Sequence, residues 1–151
     1  MRLRIRHGRA DDAHVLHSDD HDILMARFAR IGIHPVVTGR LECDDCTEEL
    51  RVPADHASVH GMVQVLVAQL GALLDAGSDT VAIVRTGFLR INPTVIRIRC
   101  TDEGDGTTRV HVRGTAKEGL IRQHGGHQAV REFIARLATL VPGEWTADWS
   151  A

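Results

Sequence analysis

The stretch over residues 93–137 constrains the fold most strongly, because it predicts a β-hairpin followed by a break and an amphipathic helix. In the hairpin, apolar and polar residues alternate, which is the pattern of strands with one buried face. Keeping apolar residues opposite one another pairs Ile98 with Val112, since a shift of one residue would turn a whole strand over. The residues between the strands form a Gly-Asp-Gly loop ending at Gly106, where glycine most easily adopts a left-handed conformation.

The same register gathers basic side chains on the other face of the hairpin. It places Arg99 opposite His111 and Arg97 opposite Arg113, which is unfavourable unless acidic groups lie close by. We therefore hypothesise an anion-binding face for an anionic ligand, a nucleic acid or an acidic protein. The alternative is a solvated or internally neutralised face, as is common in antiparallel sheets. The predicted anion-binding residues are Arg97, Arg99, Arg109, His111 and Arg113.

Length and charge limit the classes of protein to which this chain can belong. Its 151 residues, 43% hydrophobic and 25% charged, are typical of one soluble globular domain. Residues 1–79 contain 8 arginines and 13 acidic residues, whereas residues 80–136 contain 10 basic and 5 acidic residues. The net charge is only −2 and aromatic residues are scarce, which disfavours nucleic-acid binding by the whole domain.

The sequence also predicts where the protein works. It has no apolar run of 18 residues and no signal-peptide core, so we expect a cytoplasmic protein without a membrane anchor. The three cysteines fit a reducing compartment better than a disulfide framework. A single lysine among 18 basic residues is typical of a GC-rich bacterial genome.

Cys43, Cys46, His56 and His60 have the spacing C-x2-C-x9-H-x3-H, which predicts a zinc site. The thiols are predicted on either side of a tight turn and the imidazoles one turn apart on a helix, which suits tetrahedral zinc. The order of hairpin and helix resembles the small Cys2His2 zinc modules, and the resemblance implies zinc as a cofactor. The spacer of nine residues is shorter than the usual one of about twelve, so we expect a zinc staple within a larger domain. The cysteines have two alternative interpretations, a redox pair and two inert thiols.

Two further features have chemical potential. In His124-Gly125-Gly126-His127, the glycines would let both imidazoles reach a metal or a phosphate, although such glycines more commonly bend the chain into a helix. Lys117, the only lysine, is predicted in a short turn beside an acidic residue, which argues against a nucleophilic lysine. The sequence contains no Ser-His-Asp arrangement and no glycine-rich phosphate loop, so the interpretation leans away from an enzyme.

The remaining patterns complete the predicted fold. Helices are predicted over residues 19–32, 56–76 and 128–140, and strands over 36–42 and 80–84. We expect an α+β fold with an antiparallel sheet of about 4–6 strands and two amphipathic helices packed on one face. Residues 1–18 are predicted to be a flexible arm, 19–140 one domain, and 141–151 a tail with Trp145 and Trp149.

These features together predict a non-enzymatic binding or regulatory module, stabilised by zinc, with an Arg-rich sheet face for an anionic partner. One alternative is a small-molecule binding protein or enzyme with an apolar pocket between the sheet and the helices. Another is a structural subunit whose surface serves oligomerisation.

Overall fold

The computed structural model describes residues 13–119, 121–141 and 146–147. The helices are α1 (Ala13–Arg30), α2 (Pro35–Arg40), α3 (His56–Leu70) and α4 (Gly125–Leu140). The strands are β1 (Glu42–Val52), β2 (Gly71–Ala76), β3 (Asp79–Thr86), β4 (Asn92–Asp102), β5 (Thr108–Glu118) and β6 (Thr146–Ala147). A 3-10 turn, Phe88–Arg90, connects β3 to β4.

The strands form one antiparallel sheet in the order β2-β3-β4-β5-β1-β6. The predicted hairpin is confirmed as β4 and β5, with Ile98 opposite Val112. Its loop is closed by a hydrogen bond from the Glu103 backbone nitrogen to the Thr107 oxygen, 3.1 Å long. Gly106 has the left-handed conformation that the short loop requires, with φ of 79°.

Helices cover both faces of this sheet. Alternate residues of the central strands point to the side on which α3 and α4 lie, and these contacts form the main hydrophobic core. Helix α1 covers part of the other face, where Leu24 packs against Val81 and Val95. The prediction of an α+β fold with two amphipathic helices on one face is therefore confirmed. The stripe of α4 that faces the core consists of Ala129, Val130, Phe133, Ile134 and Leu137.

The tight turn predicted between Cys43 and Cys46 is wrong. Strand β1 runs without interruption through both residues, because each of its eleven residues has a partner on the equally long strand β5. Residues 36–42, predicted as a strand, instead contain α2. That helix starts at Pro35, which suits a first helical position, and the His34 Nδ1 accepts a hydrogen bond from the Val36 nitrogen.

The helix predicted over residues 56–76 ends earlier than its apolar sequence suggests. It begins as predicted, with the Asp55 side chain accepting a hydrogen bond from the Ser58 nitrogen, and it ends at Leu70. At Gly71 the backbone becomes the edge strand β2 and approaches β3 closely. A Cβ on Gly71 would lie closer than 3.0 Å to the Ile83 carbonyl group, so the absent side chain permits this pairing.

The helical turn predicted after Gly114 is also wrong, because β5 continues through Glu118. As a result Lys117 lies on a strand and is 3% exposed, instead of lying in a loop. Helix α4 begins at Gly125, three residues before its predicted start, and α1 begins at Ala13, six residues before its predicted start. Residues 1–12, Trp145 and Trp149 lie outside the described residues, so the predicted arm, tail and domain limits stay predictions.

Candidate metal centre

The four residues predicted to bind zinc lie on β1 and α3 and do not converge. Cys43 and Cys46 are three residues apart on a continuous strand, so their side chains point to opposite faces of the sheet. Accordingly, Cys43 is exposed and Cys46 is buried. The rings of His56 and His60 are stacked with centroids 5.8 Å apart. The His56 Nε2 lies within hydrogen-bond distance, 3.3 Å, of the Cys100 carbonyl oxygen, which is not one of the predicted ligands.

Burial also makes two of the three thiols poor ligands and poor nucleophiles. Burial, followed by the nearby carboxylates of Glu48 and Asp44, raises the pKa of Cys46 to about 12. Burial likewise raises the pKa of Cys100 to about 11. Since the thiolate is the form that binds metals and attacks disulfides, neither side chain is activated.

The three cysteines should therefore differ sharply in reactivity. With a thiol reagent such as DTNB at neutral pH, Cys43 should react first, and Cys46 and Cys100 at least about tenfold more slowly. Unfolding the protein in denaturant should equalise the three rates. A fast phase that survives in Cys43→Ser would contradict this assignment.

The predicted basic face exists, but carboxylates already neutralise much of it. Arg97 and Arg113 are directly opposite one another in the sheet, as the sequence predicts. The Arg97 Nη2 lies 2.6 Å from the Asp20 Oδ1 on α1, and the Arg113 Nη2 lies 3.3 Å from the Asp45 Oδ1 on β1. Further ion pairs of this face join Arg99 to Asp79 and Arg109 to Glu49 and Glu103. The sequence interpretation of an internally neutralised face fits this geometry better than an open anion site.

His111 lies among these ion pairs and gives the protein a predictable response to acid. Burial lowers the pKa of His111, and although Glu49 opposes this effect, Arg99 and Arg113 add to it. The unfolded chain therefore binds this proton more readily than the folded protein does. Stability from this residue is complete above the unfolded pKa of about 6.5 and is lost as the pH falls through the lower, folded pKa.

The expected result is that the wild type loses more unfolding free energy than His111→Gln between about pH 7.5 and about pH 5.5. Urea denaturation at the two pH values measures the difference. Equal losses in the two proteins would show that His111 does not carry this response.

Three other side chains do converge. Asp44 on β1 meets His124 and His127 at the start of α4, and their ligand atoms all lie within 4.8 Å of one another. The His127 Nδ1 lies 2.9 Å from the Asp44 Oδ1, and the His124 Nδ1 lies 3.4 Å from the same oxygen. Among the residues that the structure describes, this is the group of His, Cys and acidic side chains whose spacing suits a metal ion. We call these three residues the Asp-His-His cluster.

Two glycines bring the start of α4 against the sheet and so form the cluster. A Cβ on Gly126 would lie closer than 3.0 Å to the carbonyl oxygens of Asp44 and Gly114. A Cβ on Gly125 would lie 2.9 Å from the Ala116 Cβ. The Glu118 carboxylate is only 5% exposed and accepts a hydrogen bond of 2.9 Å from the Gly125 nitrogen. This hydrogen bond fixes the start of α4 against β5.

The backbone conformation of His124 and the ionisation of Asp44 also suit a metal site. His124 adopts the left-handed conformation, with φ of 53° and ψ of 49°, which is unusual for a residue other than glycine. Burial alone would raise the pKa of Asp44, but hydrogen bonds and the charge of His127 outweigh burial and lower it. Asp44 is therefore ionised, which is the state required of a metal ligand. It also accepts a 3.1 Å hydrogen bond from the His127 nitrogen at the helix start.

Comparison with known proteins gives no identity for this cluster. No protein-family model matches the chain, and no curated protein is significantly similar to it. The function must therefore be inferred from the chemistry of the residues themselves.

None of the three residues of the cluster lines either of two clefts in the described part of the chain. A cleft of about 780 Å³ separates α1 from the edge of the sheet and is bordered by Arg27, Arg30 and Arg85. A second groove of about 550 Å³ lies beside the end of α1 and contains Lys117. Both lie on the α1 side of the sheet, whereas α3 and α4 cover the opposite face. No helix among the described residues is long and apolar enough to span a membrane.

The sequence indicates only part of the Asp-His-His cluster. It offers His124 and His127 as ligands of a metal or a phosphate, although it favours a bend into the helix there, and it predicts Asp44 in a turn. Asp44 lies 83 residues before His127, and no local pattern connects the two. The alternation of apolar residues in β1 contains the missing information, because Cys46, Leu50 and Val52 all point to one face of the sheet. Asp44 lies two residues before Cys46 and therefore points to that same face, on which α4 packs.

Proposed function

We propose that this chain is a non-enzymatic binding module that holds one divalent transition-metal ion through Asp44, His124 and His127. The observation that carries the proposal is the convergence of these three ligand atoms within 4.8 Å from two separate elements. Two imidazoles and one carboxylate suit zinc, iron, copper or nickel better than calcium or magnesium. We therefore keep zinc, the cofactor implied by the sequence, as the proposed metal. Its proposed ligands are the three residues of this cluster and not the cysteine-containing set predicted from the sequence.

Binding rather than catalysis is supported by the surroundings of the cluster. The side chains of His124 and His127 are 64% and 44% exposed, and none of the three residues lines either cleft described above. A reaction site normally encloses its substrate and excludes water. Three protein ligands leave coordination positions open, so a bound ion would accept water or a donor group from a partner.

The Arg-rich face is a less favourable partner surface. An anionic ligand, nucleic acid or acidic protein would have to displace the carboxylates that already pair with Arg97, Arg99, Arg109 and Arg113. Displacement would leave those carboxylates without their cations, which offsets the gain. We also propose a cytoplasmic location, which is supported by three cysteines that form no disulfide.

Zinc titration of untagged protein tests the proposal. After treatment with a chelator, the wild type should bind about one zinc ion per chain. His124→Asn should bind zinc at least about tenfold more weakly, because it removes an imidazole while asparagine tolerates the left-handed backbone. Asp44→Asn should weaken binding similarly.

The matched control is His60→Gln, which removes a histidine of the set predicted from the sequence and should leave zinc affinity unchanged. Cys43→Ser should behave in the same way. Wild-type affinity in both His124→Asn and Asp44→Asn, or loss of zinc in Cys43→Ser, would contradict the proposal. Calorimetry gives the affinities and elemental analysis of dialysed protein gives the stoichiometry.

A further inference from the structure

Lys117 is a buried cation that has no acidic partner among the residues that the structure describes. The residue is 3% exposed, and its Nζ donates a hydrogen bond of 3.3 Å to the Leu41 carbonyl oxygen. Among the described residues, no carboxylate forms an ion pair with it. The neighbouring Glu118 points to the other face of the sheet, where it binds backbone nitrogens at the start of α4. An ammonium group has three donors, and burying it with one neutral acceptor is unfavourable.

Apart from Lys117, the groove is lined mainly by apolar residues. It has a volume of about 550 Å³, and its lining contains no acidic residue among the described residues. Three isoleucines on its lining, Ile31, Ile91 and Ile121, are 57%, 68% and 72% exposed. Exposed apolar side chains grouped around one groove are typical of a binding surface. The remaining polar side chains of the lining are Asn92 and Gln123.

A cation that no described carboxylate neutralises and an exposed apolar surface thus occur in the same groove. A ligand with one negative charge and an aliphatic tail would resolve both, since its charge would pair with the ammonium and its tail would cover the isoleucines. Neither a purely polar anion nor an uncharged apolar molecule satisfies both features.

We propose that this groove binds a monocarboxylate with an aliphatic tail, with Lys117 as the group that recognises the carboxylate. None of the three residues of the Asp-His-His cluster lines this groove. A hydrogen bond between the ammonium and a carboxylate should strengthen binding. The affinity should therefore depend on the charge of the ligand's head group as much as on its tail.

Calorimetric titration with octanoate, 1-octanol and octylamine tests this in the wild-type protein. The three probes share a tail and differ in the charge of the head group. Octanoate should bind about tenfold to a hundredfold more tightly than 1-octanol, and octylamine should bind most weakly. Octanol binding as tightly as octanoate would overturn the proposal, and so would the absence of any octanoate binding.

Two variants locate the site. Lys117→Met keeps most of the side-chain volume and should reduce octanoate affinity about tenfold to a hundredfold while leaving octanol affinity unchanged. Arg85→Met, which removes a cation from the other cleft, should retain wild-type octanoate affinity. Loss of octanoate binding in Arg85→Met but not in Lys117→Met would place the carboxylate elsewhere and overturn the proposal. If Lys117→Met does not fold, the affinities of the wild type for octanoate, 1-octanol and octylamine still test the proposal.

Discussion

Replacing Gly126 with alanine should lower the free energy of unfolding by at least about 3 kcal/mol. The added methyl group would lie closer than 3.0 Å to the carbonyl oxygens of Asp44 and Gly114. Both obstacles belong to the backbone of paired strands, which cannot rotate away as a flexible side chain would. The start of α4 would have to move off the sheet, opening the core beneath Val130 and separating both histidines from Asp44.

Gly61→Ala is the matched control for this change. Gly61 lies within α3, and a Cβ there would meet nothing within 4 Å. Alanine should therefore stabilise the protein by up to about 1 kcal/mol through its higher helix propensity. Urea denaturation of both variants gives the two changes. A loss of less than about 1 kcal/mol in Gly126→Ala would mean that α4 does not approach the sheet this closely.

Replacing Asp20 with alanine should destabilise the protein by about 3–5 kcal/mol. The side chain of Asp20 is 1% exposed and lies between two arginines of the sheet. Its Oδ1 lies 2.6 Å from the Arg97 Nη2, and its Oδ2 lies 4.0 Å from the Arg113 Nε. Without it, two nearly buried guanidinium groups directly opposite one another would lose a shared counterion.

The control for Asp20 lies two residues further along the same helix. Asp22 is exposed, so Asp22→Ala should change stability by no more than about 0.5 kcal/mol. Thermal and urea unfolding of both variants separate the two cases. Similar small effects at both positions would show that α1 does not neutralise the Arg-rich face, and would restore that face as a candidate surface for an anionic partner.

The elements predicted correctly are those whose signal is local. The β4–β5 register follows from alternation in two adjacent strands and from Gly106, and α4 follows from the spacing of Phe133 and Leu137. In both cases neighbouring residues carry the whole pattern. The fold class follows from these elements because each needs a second layer to bury its apolar face.

The incorrect elements are those where a distant partner decides the conformation. Asp44 and Asp45 favour a turn locally, yet eleven residues of β5 supply backbone partners that keep β1 extended through them. Likewise the local sequence pattern predicts Leu73 and Leu74 as a continuation of α3, but the pairing of β2 with β3 places them in an edge strand. Local preference is weak compared with a complete set of strand hydrogen bonds.

The candidate site follows the same rule. His124 and His127 were recognisable because two glycines and two histidines are adjacent in sequence. Asp44 was not recognisable, because it reaches the histidines only after β1 joins the far side of β5 and α4 packs back on the sheet. The same topology buries Lys117, which the sequence placed in a loop.

Anomalous diffraction from crystals grown with zinc tests the metal centre most directly. We expect a strong zinc peak about 2.0–2.2 Å from a carboxylate oxygen of Asp44 and from one ring nitrogen each of His124 and His127. Bound zinc with its peak at Cys43, or zinc-saturated crystals with no peak among these three residues, would contradict this expectation.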